Sequence, residues 1–190
     1  MTTQAAGAPL AYSAVSKWVH WITALCVIGL IPAGIIMNRL PEGELQDRIF
    51  DLHRSTGILV LTLAVLRVLA RRFFGVPRPV ETLTRFERIA STAAHHSLLA
   101  LIFIMPLLGW LMMSAYGVKV PVFGLFDLPK VLPESESVYK VLAKIHQVLG
   151  YLMGVIIAAH AGAALLHAFV KRDGVLDRML PQSLARLLPR

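Results

Sequence analysis

The stretch from Tyr139 to Lys171 constrains this chain more than any other. It reads YKVLAKIHQVLGYLMGVIIAAHAGAALLHAFVK, apolar for most of its length and without proline. Between Lys144 and Lys171 there is no Asp, Glu, Lys or Arg, and the side chains that stand out are Gln147, His146, His160 and His167. An apolar run of that length reads as a helix crossing a bilayer. Ionisable side chains inside such a helix are expensive, so each needs a reason.

The spacing supplies one. His146 and His160 stand 14 positions apart, close to four helical turns, so they face roughly the same way. At about 1.5 Å of rise per residue they lie roughly 21 Å apart along the axis, one near each side of a hydrocarbon core about 30 Å thick. A helix offering an imidazole at each of two depths is what two haems stacked across a membrane require. The plain alternative is a pair of buried histidines, each hydrogen-bonded to a neighbouring helix. Partners at matching depths decide between the two.

The rest of the chain has the composition of a membrane protein: 56% hydrophobic and 16% charged over 190 residues, outside the usual soluble range. One membrane domain over 1–190 is expected. The net charge of +8 is not a nucleic-acid signal, because the basic residues fall at span ends rather than on a soluble face. Cys26 is the only cysteine and lies inside the first apolar run. There is therefore no disulfide framework, no CxxC metal site and no CxxCH motif for covalent haem attachment, and any haem is held non-covalently. The first apolar run reads as a retained span, not a signal peptide: it is too long, it contains His20, and no small-residue cleavage site follows it.

Four spans are expected, at about 14–37, 52–70, 89–115 and 139–171. A small, polar N-terminal segment precedes them and is expected to be poorly ordered. A basic tail, 172–190, follows, with leucines at helical spacing that suggest a short helix on the membrane surface. Pro32 and Pro106 are tolerable inside membrane helices, and Trp18 and Trp21 flank His20 as interfacial anchors. The long third loop, rich in Pro, Gly and aromatic residues, reads as a folded cap of short helical or extended turns. Four spans put both termini on one side. Lys and Arg concentrate in the N-terminal part, the second loop and the tail, and the first loop is net acidic. The positive-inside rule then puts both termini in the cytoplasm.

That topology gives every histidine a depth. His53 opens the second span and His146 lies near the start of the fourth, both outside. His20 lies near the inner end of the first span and His160 in the inner part of the fourth. A b-type haem held by two histidines takes one neutral imidazole on each face of the iron, from different helices. Two haems then force the pair His53–His146 outside. Inside, His20–His160 is chosen, although His95, His96 and His167 share that side. The residue four positions after each chosen histidine is small (Ala24, Gly57, Gly150 and Ala164), where a porphyrin would press on the helix. His95 precedes Leu99 and fits less well; His96 precedes Ala100 and passes the same test. Arg54 outside and Arg67 and Arg71 inside are candidate partners for haem propionates. His167, about two turns beyond His160 on the same face, has no haem partner. It is a candidate for the border of a quinone site, with Lys17 or His95 beside it.

These residues resemble the bacterial cytochrome b-561 family. The likeness rests on the His20-Trp21 pair, the LH…G…R…R pattern from Leu52 to Arg72, the Pro-x-x-Gly of Pro106 to Gly109, and the spacing of His146, His160 and His167. It covers about Ser16 to Pro181. The resemblance implies an all-α, integral membrane four-helix bundle with two b-type haems in its core, set in the bacterial inner membrane. The family's axial ligands fall on His20, His53, His146 and His160. Within the family the chain is most similar to the superoxide-oxidising type, and Arg178 to Pro181 resembles that type too. This implies oxidation of superoxide at the periplasmic face and reduction of ubiquinone. The alternative expectation is a cytochrome b subunit that docks a hydrogenase or dehydrogenase partner; the compact loops favour the first. Arg39, Arg48, Arg54, Lys119, Lys130, Lys140 and Lys144 could form a basic outer rim that steers a small anion, opposed by a similar number of loop carboxylates. No catalytic side chain is assigned, because electrons would exchange at a haem edge.

Overall fold

A computed structural model describes residues 11–188. Most of the N-terminal segment expected to be poorly ordered, 1–10, lies outside the described residues, as do 189–190. The described chain runs through α1 (Ala14–Ile36), α2 (Glu44–Phe74), α3 (Arg85–Tyr116), a hairpin of β1 (Val120–Val122) and β2 (Phe126–Leu128), and α4 (Glu136–Leu166). A π-helical turn (His167–Lys171), a 3-10 turn (Leu176–Arg178) and the short α5 (Gln182–Ala185) complete it.

Local chemistry sets the helix ends. Ser13 Oγ accepts from the Ser16 N–H at 3.1 Å and starts α1, satisfying one of the orphan donors of a first turn. Thr84 and Glu87 cap each other reciprocally at the start of α3, as a capping box does. Gly117 turns the chain out of α3 in the left-handed conformation, which costs glycine little. Gln46 Nε2 donates to the carbonyls of Met37 and Leu40 at 2.9 and 3.1 Å, occupying acceptors that the end of α1 leaves free.

Among the described residues three helices are long and apolar enough to cross a membrane: α1, α3, and α4 with its π turn. α2 outruns the expected 52–70 at both ends, carries Arg54 and Arg67 near the ends of its apolar part, and is not among the three. α3 packs along α4, α1 along α2 and α2 along α3, while α1 and α4 meet only sparsely. Val27, Val60, Ala64, Leu101, Ile102 and Met153 form the buried core, so all four long helices contribute at mid-height. Met153 lies midway in sequence between His146 and His160. Leu25, Ile28, Val65 and Val155 face outward, which is unfavourable in water and suits hydrocarbon.

The chain is not purely helical. The third loop holds an antiparallel hairpin with Val120 opposite Leu128 and Val122 opposite Phe126. Ser55 pins it to α2: its hydroxyl donates to the Pro121 carbonyl at 3.0 Å and accepts from the Phe123 N–H at 2.9 Å. Trp110 Nε1 donates to the Pro129 carbonyl at 2.9 Å, and the Val131 N–H donates to Ser114 Oγ at 3.2 Å, holding the next segment against α3. Lys130 Nζ donates to Glu134 at 2.7 Å and holds that carboxyl below its ordinary range.

The tail divides its helical content between the 3-10 turn and the short α5, and the segment between them is strapped across the start of α1. The Arg178 carbonyl accepts from the Tyr12 N–H at 3.3 Å, the Met179 carbonyl from Trp21 Nε1 at 2.8 Å, and the Leu180 carbonyl from Lys17 Nζ at 2.6 Å. Arg178 in turn donates to the Arg78 carbonyl of the second loop at 2.5 Å. Three consecutive carbonyls with no helical partner are thus satisfied by α1, the accounting a partly buried backbone requires.

Candidate functional site

The histidines meet in two groups, one at each end of the core. At the hairpin end of the bundle, the end expected to be outer, His53 of α2 faces His146 of α4, ring centres 6.3 Å apart. At the end that carries the tail, expected to be inner, His20 of α1 faces His160 of α4 at 6.4 Å. His95 of α3 also approaches His160, at 5.0 Å and edge to face. His96 points outward, exposed, with Nδ1 2.8 Å from the Thr92 carbonyl.

The spacing discriminates among these contacts. Two imidazoles each bonded at about 2 Å to one metal atom, with ring centres about 1 Å behind the bonded nitrogens, stand about 6 Å apart. His53–His146 and His20–His160 match that separation. His95–His160, at 5.0 Å, falls about 1 Å short of that separation, so those two rings do not stand on opposite faces of one metal atom.

The surroundings fit a flat cofactor as well. Nδ1 of His53 and of His146 is buried and makes no hydrogen bond of full geometry, with the Leu30 backbone beside the first ring and the Met105 backbone beside the second. Glycines let neighbouring helices close on these rings: a Cβ on Gly34 would stand 3.1 Å from His53 Cε1, and one on Gly109 would stand 3.5 Å from His146 Cε1. A Cβ on Gly57, one turn beyond His53, would meet nothing within 4 Å. There is thus room at Gly57, whereas a Cβ on Gly150, one turn beyond His146, would meet Met105 Cε at 3.6 Å.

The charged groups occupy definite partners. Arg67 Nη1 lies 2.7 Å from His20 Nδ1; a guanidinium only donates, so that nitrogen accepts. Arg67 and Arg71 line a small inner cavity with Tyr12, Ser16 and Met179. Arg54, beside His53, pairs with Asp51 at 2.7 Å. Lys17 is held by the Leu180 carbonyl. Arg48 in α2, Lys130 in the third loop and Lys140 in α4 each pair with a glutamate four residues away, so much of the expected basic rim is locally neutralised. A cavity of about 470 Å³ between Tyr116, Glu134, Tyr139 and Lys140 sits at this rim, and neither histidine pair lines it.

His167 is buried, not in water. Its Nδ1 lies 2.6 Å from Asp173 Oδ2, and its Nε2 lies 4.0 Å from Glu87 Oε1, which also pairs with Lys171. The π turn and the following left-handed Arg172 swing Asp173 back onto the ring. Asp173, Gly34 and Gly109 as neighbours of the histidines are contacts that sequence reading did not draw. The contact from Gly109 had a signal in the Pro106–Gly109 spacing; the other two join residues whose meeting depends on how helices dock.

Comparison with known proteins adds an independent line. The family described as prokaryotic cytochrome b561 matches residues 11–182. Cytochrome b561 homolog 2 of Escherichia coli (strain K12) is 32% identical over 176 residues, covering 92% of this chain and 94% of the relative. Cytochrome b561 homolog 1 of the same organism is 29% identical over 172 residues, covering 90% and 97%. A probable superoxide oxidase CybB of Yersinia pestis is 27% identical over 176 residues, covering 90% and 96%.

Proposed function

This chain belongs to the prokaryotic cytochrome b561 family, membrane proteins of electron transfer, and from that premise we propose that it is a four-span, di-haem cytochrome oxidising superoxide outside and reducing ubiquinone inside. In this reading residues 1–190 form one membrane domain of the bacterial inner membrane, α2 is the fourth span, and both termini are cytoplasmic. His53 and His146 hold the outer haem b and His20 and His160 the inner one. The observation that carries the reading is the pair of imidazole couples, 6.3 and 6.4 Å apart, at two levels of one helix.

When bound, the haems supply reversible one-electron iron chemistry. The remaining work falls to side chains of this chain. Held by two histidines, each haem would exchange electrons at its edge and not through a substrate bound to the metal. The core from Val27 to Met153 keeps water out of the space between the levels. Arg54 at the outer level and Arg67 and Arg71 at the inner level suit carboxylate partners bidentately, and with His20 bonded to iron Arg67 is available to a propionate. His167, oriented by Asp173, and Lys17 border the inner end, where the reduced quinone takes its protons. Two superoxide anions give up one electron each and leave as dioxygen; one quinone gains two electrons and two protons.

Superoxide as donor draws on the Yersinia pestis relative, a probable superoxide oxidase. The test is direct. Purified protein should show a b-type reduced-minus-oxidised spectrum with two haems per chain. Mixing with superoxide in stopped flow should reduce the haems within the dead time or soon after, and added ubiquinone should reoxidise them. A colourless protein overturns the haem reading; a coloured protein indifferent to superoxide overturns the substrate.

A further inference from the structure

The hairpin of the third loop carries an apolar tip that the bundle does not cover. Val120 and Val122 of β1 are buried against the helices, whereas Phe123, Leu125 and Phe126 are 48%, 81% and 55% exposed. No charged residue stands between Lys119 and Asp127. The turn itself is strained: Phe123 takes φ 51° and Gly124 φ 70°, and a bulky residue at positive φ is rare. The chain holds a large apolar side chain outward at a position where Asn or Gly would be easier.

The level of the tip is set by its anchor. Ser55, which binds both Pro121 and Phe123, lies 11 residues into α2, about 16 Å along its axis. The outer side of that point on α2 carries Glu44, Asp47, Arg48, Asp51 and Arg54; the inner side runs apolar from Ile58 to Leu66. The tip therefore lies at the boundary between the polar and apolar parts of α2. The connecting segment folds back along α3 at Trp110 and Ser114, so the hairpin is pinned to α2 on one side and tied to α3 on the other.

We infer that Phe123, Leu125 and Phe126 form a wedge seated in the outer leaflet, at the boundary between lipid headgroups and acyl chains. An exposed apolar tip held at the level where α2 turns apolar has the chemistry of a position in lipid. Through Ser55, two residues from His53, the wedge fixes the height of the outer histidine level relative to the membrane surface. This inference rests on the family's membrane setting and is independent of the identity of the electron donor.

Spin labelling tests it. Cys26 is replaced by Ala, and single cysteines are introduced by Leu125→Cys and, separately, Phe126→Cys; both positions are exposed, so neither substitution opens the core. The full-length protein is labelled with a nitroxide in phosphatidylcholine–phosphatidylglycerol liposomes. Labels on Val155→Cys and Glu42→Cys serve as references for lipid and water. Collision with dioxygen exceeding collision with a water-soluble nickel chelate at 125 and 126, as at 155, is the expected result. The reverse order, as at 42, places the tip in water and overturns the proposal, leaving the hairpin open to a soluble protein. Variants are read only where their haem spectrum and elution profile match the parent, and position 126 repeats the measurement should position 125 fail that check.

Discussion

At the scale of single residues, ring spacing separates ligands from neighbours. His53→Ala or His146→Ala should each reduce haem from two per chain to one, and His20→Ala or His160→Ala should remove the other. His95→Ala should retain both, because a ring 5.0 Å from His160 stands too close to face it across one metal atom. Pyridine haemochrome assay of each purified variant checks all five. Gly34 gives a second residue-level prediction. Its missing Cβ would already stand 3.1 Å from His53, so Gly34→Val should push the ring out of line and lose the outer haem, while far-ultraviolet circular dichroism keeps its helical signal. Loss of helicity alongside the haem would mean that Gly34 serves helix packing and not the ring.

At the scale of elements, the hairpin and the inner end of α4 are held by few bonds, each with a definable value. Ser55→Ala removes one hydroxyl that satisfies a carbonyl and an N–H together. Stranding those groups should destabilise the folded state by about 1–3 kcal/mol, seen as a lower midpoint on thermal denaturation in detergent. An unchanged midpoint would show that water reaches both groups. His167 works in a similar way. His167→Ala leaves the Asp173 carboxylate, 5% exposed, without its partner. Stranding one member of a buried pair is worse than removing both. The double variant His167→Ala, Asp173→Asn should therefore melt higher than His167→Ala alone. Quinone reduction by the double variant separates the two roles: retained rates make His167 a structural clasp, and lost rates place it in the proton path.

For the whole molecule, the two-level arrangement predicts that current needs both levels. In His53→Ala the inner haem should still be reduced by quinol, while reduction by superoxide should fall by at least tenfold, because the outer entry point is gone. Stopped-flow absorbance from each side checks this, and equal rates in parent and variant would mean superoxide enters elsewhere. Four outer cations bound to neighbouring carboxylates also weaken long-range steering of an anion. The rate with superoxide should therefore vary only mildly with ionic strength, against the steep fall of a strongly steered encounter.

What the sequence determined by itself was periodic and local. The length of apolar runs located α1, α3 and α4, and the helical rise set His146 and His160 on one face at two depths, because both follow from backbone geometry alone. The small residues after each histidine were legible for the same reason. Tertiary structure decided whatever depends on how helices dock. It brought Gly34 of α1 against His53 of α2, set His95 beside His160 too close for the two rings to face each other across one metal atom, and turned the tail into a strap on Lys17 and Trp21. It also returned Asp173 to His167 through a π turn. No periodicity encodes these meetings: each joins groups on different segments, and side-chain volume and unsatisfied backbone groups fix the docking only once the helices are packed.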